Sequence, residues 1–172
     1  MRRFFLSFLG AGYLKPAPGT WGSLAAIPAA WALTLIGGPF LLCFAMGLCY
    51  VAGVAATQAE MDDTGAHDPS WIVIDEVVGQ WFALLPVAFG ASRAGVSFTD
   101  LWPGILTAFV FFRLFDIWKP WLVGRADARD DATGVMLDDV WAGFFAALVV
   151  ILFAFVAHAG IASLVENFPE PA

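Results

Sequence analysis

The sequence predicts an all-α fold: a polytopic membrane bundle of about four to five transmembrane helices with a short N-terminal interfacial segment. The 172 residues are 60% hydrophobic and 13% charged, with a mean hydropathy of +0.80, whereas soluble domains are about 45–50% apolar and about 25% charged. Lipid requires each span to satisfy its own backbone polar groups, and no segment alternates like a barrel strand, so helix is predicted. Short connections predict one domain over residues 1–172.

Five apolar runs are the candidate spans, because a helix needs roughly 20 residues to cross the hydrocarbon layer. They cover residues 21–36, 39–56, 71–89, 101–118 and 140–156. Gly37-Gly38-Pro39 is expected to stop the first run, which is marginally short. The connections at 57–70, 90–100 and 119–139 are predicted to be loops.

The N-terminal segment superficially resembles a signal peptide, since Arg2 and Arg3 precede an apolar stretch. That stretch is short, and it runs into Lys15-Pro16 without a small-residue cleavage pattern. We therefore expect a retained interfacial segment or short helix.

The cationic connections predict the orientation, because Lys and Arg are enriched in cytoplasmic loops. Six cations lie before the first run or between the fourth and fifth: Arg2, Arg3, Lys15, Lys119, Arg125 and Arg129. Arg93 alone falls in a loop of opposite parity. The N-terminus and the 119–139 connection are therefore predicted to be cytoplasmic.

Carboxylates inside or beside the apolar runs are the main functional signal, because charge in hydrocarbon is costly. They are Asp75, Glu76, Asp116, Asp138 and Asp139. On the predicted topology all five fall at the cytoplasmic end. Hard divalent cations prefer carboxylate oxygens, so this convergence predicts a site for one or two Mg²⁺ ions. The net charge of −7 argues against a nucleic-acid partner.

Arg113, Asp116 and Lys119 are spaced by three residues, which predicts one stripe along a helix. Such a stripe suits a phosphate held by the two cations beside a metal held by the carboxylate. The alternative is that Arg113 only neutralises Asp116 within the bundle.

Three weaker signals accompany the acids. The 19–23 turn, Gly-Thr-Trp-Gly-Ser, could bind an anion at a helix N-terminus, or Thr20 or Ser23 could simply cap the helix. His67 could serve as a general acid near neutral pH or be an ordinary loop residue. One of Asp138 and Asp139 is expected to cap the last helix. His158, at the far end of that helix, is assigned no role.

Four blocks of the chain resemble the phosphatidylglycerophosphatase A family in its order. They are Pro-Gly-Thr-Trp-Gly-Ser-Leu-Ala-Ala-Ile-Pro at 18–28, Asp68-Pro69 followed by Ile-Val-Ile-Asp-Glu-Val-Val-Gly at 72–79, Phe-Arg-Leu-Phe-Asp-Ile-Trp-Lys-Pro at 112–120, and Gly-Val-Met-Leu-Asp-Asp-Val-Trp-Ala-Gly at 134–143. One departure lies ahead of the last block, where the family often has a Gly-Gly pair and this chain has Asp130-Asp131-Ala132-Thr133. Those extra acids could bind a further cation or be solvated.

The resemblance implies a Mg²⁺-dependent, multi-pass phosphatase of the bacterial inner membrane. Such an enzyme hydrolyses phosphatidylglycerophosphate to phosphatidylglycerol and phosphate, the step before cardiolipin synthesis. The resemblance makes all five acids catalytic candidates, with Asp75, Glu76, Asp116 and Asp139 as metal ligands. Arg113 and Lys119 would bind the substrate phosphate, for which the sequence adds Thr20, Ser23 and His67 as further candidates.

The competing interpretation is a small transporter or cation-binding membrane protein whose acids line a pathway. A pathway would place polar groups at successive depths, whereas the outer half of every run is apolar. The sequence leaves open whether a water or an aspartate attacks the phosphate, and it does not give the oligomeric state.

Overall fold

A computed structural model describes residues 1–66 and 69–167, with side chains through 159. The described residues form helices and short 3₁₀ turns without a strand, which confirms the predicted all-α class. The α-helices are α1 (Arg2–Leu6), α2 (Pro18–Thr64), α3 (Ile74–Ala94), α4 (Trp102–Trp118), α5 (Leu122–Asp127) and α6 (Ala132–Asn167).

Helix α2 contains the first two predicted spans, joined at a sharp bend. Gly37 leaves the helical region, and Gly38 has φ 66°, a conformation that glycine adopts without the usual steric cost. The predicted stop at this position is therefore confirmed as a bend rather than a loop.

The two arms of α2 run in opposite directions along α3. Gly19 lies against Glu76 at the start of α3, and the Phe40 ring is 5.5 Å from that of Phe89 near its end. Gly53 then lies back beside Ile74. Among the described residues, α2, α3, α4 with its preceding turn and α6 are long and apolar enough to cross a membrane. Because the bend divides α2 into two arms, these helices offer up to five candidate crossings.

All three predicted loops are wrong in extent, and in the 90–100 loop α3 continues to Ala94. Helix α2 continues to Thr64, where Gly65 ends it by donating its N–H to the Met61 carbonyl at 2.8 Å. The 119–139 connection holds α5 and the first two turns of α6. Hydropathy measures transfer into lipid, and polar residues such as Gln and Glu continue a helix readily outside it.

Helix α3 is the centre of the bundle. Of the apolar segment of α3 that is long enough to cross a membrane, 67% is buried inside the protein. In the other three candidate spans the buried share is 28% or less. Trp81 donates its indole N–H to the Ala26 carbonyl at 2.8 Å, which joins α3 to the first arm of α2. Because α3 is central, its polar first turn lies where the ends of the neighbouring helices meet.

The N-terminal segment packs beneath the same end of the bundle. Leu6 is fully buried, and its carbonyl accepts the Val73 N–H at 2.9 Å just before α3. Arg2 and Arg3 both bind the buried carboxylate of Glu60, through nitrogen–oxygen distances of 2.5 and 2.9 Å. The expected short helix is present, and it is anchored to α2 and to the start of α3.

Candidate active site

Three helix segments bring the five predicted acids to one place, the first turn of α3, the end of α4 and the second turn of α6, and the start of α2 packs against them. One carboxylate oxygen each from Asp75, Glu76 and Asp139 lie within 4.8 Å of one another. A second group within the same limit consists of Asp116, Asp138 and Asp139. The sequence-based expectation that these acids converge agrees with this geometry.

Asp75 and Glu76 begin α3 and so face the cluster from its central helix. Asp75 is 7% exposed, and its Oδ1 accepts the Glu76 N–H at 3.0 Å. The Glu76 carboxylate fits only because Gly19 lacks a side chain, since a Cβ there would overlap Glu76 Oε1. Glu76 Oε2 is buried without a hydrogen-bond partner among the described residues.

Asp138 and Asp139 lie inside α6, so the prediction that one of them caps this helix is wrong. The helix begins two turns earlier, and Asp131 caps it by accepting the Gly134 N–H at 2.7 Å. An acid placed this far inside a helix cannot reach the free N–H groups of the first turn. Asp139 is 3% exposed, and its Oδ1 has no hydrogen-bond partner in the described part of the chain.

Arg113 bridges α4 and the first arm of α2. Its Nη1 lies 2.7 Å from Asp116 Oδ2 and 3.4 Å from the Ser23 hydroxyl oxygen, to which it donates. Its Nε is buried without a partner in the described structure. Arg113 does pair with Asp116, as the neutralisation alternative requires, and it retains a donor beyond that pair.

Lys119 does not continue the predicted stripe of α4. The helix ends at Trp118, because the residue before a proline disfavours helical geometry, and Lys119 has φ 51°. Its Nζ reaches Asp138 Oδ2 at 3.2 Å and also pairs with Asp127. Burial lowers the pKa of Lys119, but these two carboxylates outweigh it and raise the pKa above the usual value. Lys119 is therefore a cation at neutral pH.

The cluster opens into a cleft of about 300 Å³. Its lining contains all five carboxylates together with Arg113 and Lys119, each of which is paired with one of those acids. The remaining lining residues are Ala17, Pro18, Gly19, Ser70 and Ile72. Cations and carboxylates in one small cleft suit a phosphate group and a divalent cation bound together.

The three weaker candidates, Ser23, Thr20 and His67, differ in their relation to the cleft. Ser23 reaches the site through Arg113, but it lies inside α2 and donates to the Gly19 carbonyl at 2.8 Å, so it is not a cap. Thr20 is half-buried on the same turn and, within the described structure, does not line the cleft. The N-cap residue is Ala17, without a side-chain cap. His67 lies outside the described residues.

Sequence reasoning missed several residues around the site. Asp127, which holds Lys119, carried no signal because its partner is eight residues away across a helix break. Gln80 lies four residues after Glu76, hence on the same helix face, and its fully buried amide has no hydrogen-bond partner among the described residues. The sequence did offer one signal for Gln80, because it is a polar residue inside an apolar run.

The departure from the family pattern has a structural explanation. Asp131 pairs with Arg129, with Nη2 and Oδ2 2.6 Å apart, besides capping α6. Asp130 and Asp131 line a second cleft, which shares Asp75 and Asp138 with the first. Asp131 is therefore engaged in holding the helix start.

Comparisons with known proteins are consistent across most of the chain. The family model described as phosphatidylglycerophosphatase A matches residues 4–154. The phosphatidylglycerophosphatase A of Haemophilus influenzae is 40% identical over 143 residues, or 82% of this chain and 81% of that protein. The protein of the same name from Escherichia coli is 33% identical over 151 residues, or 87% and 79%.

A third relative carries a different name. A Bacteroides thetaiotaomicron protein, provisionally named a phosphatidylinositol-3-phosphatase, is 33% identical over 151 residues, or 82% of this chain and 86% of that protein. No solved structure matches the chain.

Proposed function

The chain belongs to the phosphatidylglycerophosphatase A family, and on that premise we propose that it hydrolyses phosphatidylglycerophosphate to phosphatidylglycerol and inorganic phosphate. The relatives named for this activity are phosphoric monoester hydrolases. The observation that carries the proposal is the cleft that Arg113 and Lys119 line together with the five acids. That combination suits a phosphate monoester and its counter-ion.

We propose Mg²⁺ as the cofactor. Two observations fit it: the donors are carboxylates grouped within 4.8 Å, and the buried oxygens Glu76 Oε2 and Asp139 Oδ1 have no partner among the described residues. A buried polar atom without a partner is costly, and a bound cation removes that cost. When bound, Mg²⁺ would supply Lewis-acid stabilisation of phosphoryl charge. Asp75, Glu76, Asp116 and Asp139 would hold it, with Asp138 alongside.

The cations of the cleft would bind and orient the substrate phosphate. Arg113 offers a planar donor array that is held by Asp116 and Ser23, so little motion is needed when the phosphate arrives. Lys119 adds a second positive charge to the cleft, and Asp127 and Asp138 hold its ammonium group. Both charges would stabilise the negative charge that develops on the phosphoryl oxygens.

Hydrolysis breaks the bond between phosphorus and the glycerol oxygen, and that oxygen leaves with a proton. The attacking group is either a water or one of the carboxylates, which would form an aspartyl-phosphate. A burst of protein-bound phosphate in quenched single-turnover reactions would identify the carboxylate route.

We propose that the site lies at the cytoplasmic face of the bacterial inner membrane. Six of the chain's eight Lys and Arg residues lie in segments at this end of the bundle, as the enrichment of cations in cytoplasmic loops would require. A headgroup could then enter the cleft while the acyl chains remain in the bilayer. Labelling single cysteines placed at 125 and 95 from either side of inverted vesicles would test this orientation.

The decisive experiment is phosphate release from phosphatidylglycerophosphate by the purified chain, with and without Mg²⁺. We expect release that depends on Mg²⁺ and is lost in Asp75→Asn, Glu76→Gln and Asp139→Asn. Phosphatidylinositol 3-phosphate and phosphatidate serve as comparison substrates, because one relative is named for an inositol lipid. No release from phosphatidylglycerophosphate would overturn the proposal, and release from a comparison lipid alone would assign a different substrate.

A further inference from the structure

We propose that the acidic cluster holds two divalent cations that share Asp139 as a common ligand. The inference rests on the proposed use of a divalent cation, and it adds the number of ions and the residue between them. Neither follows from the phosphatase activity itself, since one ion could also serve it.

The first support is the grouping of the oxygens. The acids form two sets of three, one with the α3 residues Asp75 and Glu76, the other with Asp116 and Asp138. Asp139 belongs to both sets. Its carboxylate is therefore near both potential ions, as a shared ligand must be.

The second support is the state of Asp139 itself. It is 3% exposed, lines the cleft, and its Oδ1 has no hydrogen-bond partner among the described residues. Its neighbour Asp138 differs, because Lys119 lies 3.2 Å from Asp138 Oδ2. A buried carboxylate oxygen without a partner, on a residue that lines a cleft, indicates a ligand there.

The third support is the imbalance of charge and ligand number. Five carboxylates line a cleft that contains only two cations, Arg113 and Lys119. Lys119 also pairs with a sixth carboxylate, Asp127. Mg²⁺ commonly takes only one or two carboxylates and completes its shell with water and phosphate. Five carboxylates thus exceed the need of one ion, whereas paired ions about 3.5–4 Å apart are common where phosphate esters are hydrolysed.

The test uses Mn²⁺ as the probe and the purified full chain in detergent, without substrate. Equilibrium binding should give two Mn²⁺ per chain, and low-temperature EPR should show an exchange-coupled pair. Asp139→Asn should abolish the coupled signal and reduce binding to one ion or fewer. Asp116→Asn should leave one ion without coupling. Circular dichroism and gel filtration of each variant show that it is folded.

The matched control is Asp130→Asn, an exposed acid of the second cleft, which should keep two coupled ions. One Mn²⁺ per wild-type chain would overturn the proposal, and so would two ions that are not coupled. Loss of the second ion in Asp130→Asn instead of Asp139→Asn would place it in the second cleft and also overturn it. Coupled ions in a protein that releases no phosphate would contradict the proposed function alone.

Discussion

The Gly79 carbonyl lies so close to Gly143 that a Cβ on Gly143 would overlap its oxygen. Helices α3 and α6 cross at this contact with only backbone between them. The other side is equally tight, since a Cβ on Gly79 would be 2.5 Å from the Asp139 carbonyl oxygen. Because Glu76 and Asp139 lie about one turn from the crossing, this contact sets how closely their carboxylates approach.

We expect Gly143→Ala to separate α3 and α6 and to reduce activity strongly. Backbone atoms cannot rotate away as a side chain can, so the helices must move. Displacements of about 1 Å at a site can cost about 100-fold in rate. Phosphate release and the thermal midpoint should both fall. Gly90→Ala is the control, because its Cβ would be 3.6 Å from a Leu101 side-chain carbon, an ordinary contact. Full activity in Gly143→Ala would show that the crossing does not set the site.

We expect Gly19→Ala to impair the site while the protein still folds. The added Cβ would meet the end of the Glu76 side chain, which can rotate away but then leaves its place in the cluster. Loss of a group that orients a metal ligand commonly costs about 10–100-fold in affinity or activity. Mn²⁺ affinity should fall with little change in the thermal midpoint. Gly47→Ala, which places a Cβ in open space, should change neither.

We expect Arg113→Lys to lose activity although it keeps the charge. A lysine cannot contact Asp116 and Ser23 and still present a flat array of donors to phosphate. Removal of one such donor commonly costs about 10²–10³-fold in kcat. Ser23→Ala, which leaves the guanidinium in place and removes its 3.4 Å contact to Ser23 together with the Ser23 hydrogen bond to the Gly19 carbonyl, should lose much less. Equal rates for Arg113→Lys and the wild type would exclude Arg113 as a phosphate contact.

We expect Glu60→Gln to release the N-terminal segment. Glu60 is fully buried and binds both Arg2 and Arg3, and a neutral amide cannot replace the charge that attracts both guanidinium groups. Amide exchange should speed up across α1, and the thermal midpoint should fall. Asp62→Asn, at an exposed residue on the same helix, is the matched control. Unchanged exchange in α1 would mean that the contacts remaining without the Glu60 charge, such as the burial of Leu6 and the Arg2–Asp63 pair, hold the segment.

We expect the cap on α6 to weaken only in acid. The Arg129 guanidinium, followed by the Gly134 N–H, lowers the pKa of Asp131 below its usual 3.8. Both favour the charged carboxylate, so its stabilising effect is complete above about pH 3.8 and is lost as the pH falls through the folded-state pKa. Asp131→Ala should therefore unfold at a lower temperature than the wild type at pH 7, with a smaller difference at pH 2. Asp131→Asn keeps a cap but cannot titrate, so the difference in unfolding temperature between Asp131→Asn and Asp131→Ala should not change with pH. A difference that is independent of pH would contradict the assignment.

The helices could be predicted from the sequence where contact with lipid requires a long apolar run. The bend at Gly37–Gly38 followed from residues with unusual backbone geometry, whereas the end of α4 at Trp118 took Lys119 off the predicted stripe. The sequence did not predict that α2 extends to Thr64, because hydropathy does not distinguish helix from loop among polar residues outside the bilayer. The start of α6 was misplaced for the same reason, and with it the expected cap.

The site was predictable as a set of residues at one end of the bundle, but its internal pairing was not. The parity of the spans and the position of each acid along its run predicted the common end. Which oxygen faces which partner depends on the rotation of each helix about its axis and on the distance at which two helices cross. Lys119 illustrates this, since its reach to Asp138 depends on the turn after α4.

The sequence by itself therefore determined that this chain forms apolar helices with costly acids at one end, because hydropathy and charge are properties of each residue in its segment. The tertiary structure decided that Asp139 belongs to both sets of three acids and that Gly19 makes room for Glu76. These relationships depend on contacts between helices far apart along the chain. The packing of small residues at the helix crossings fixes them.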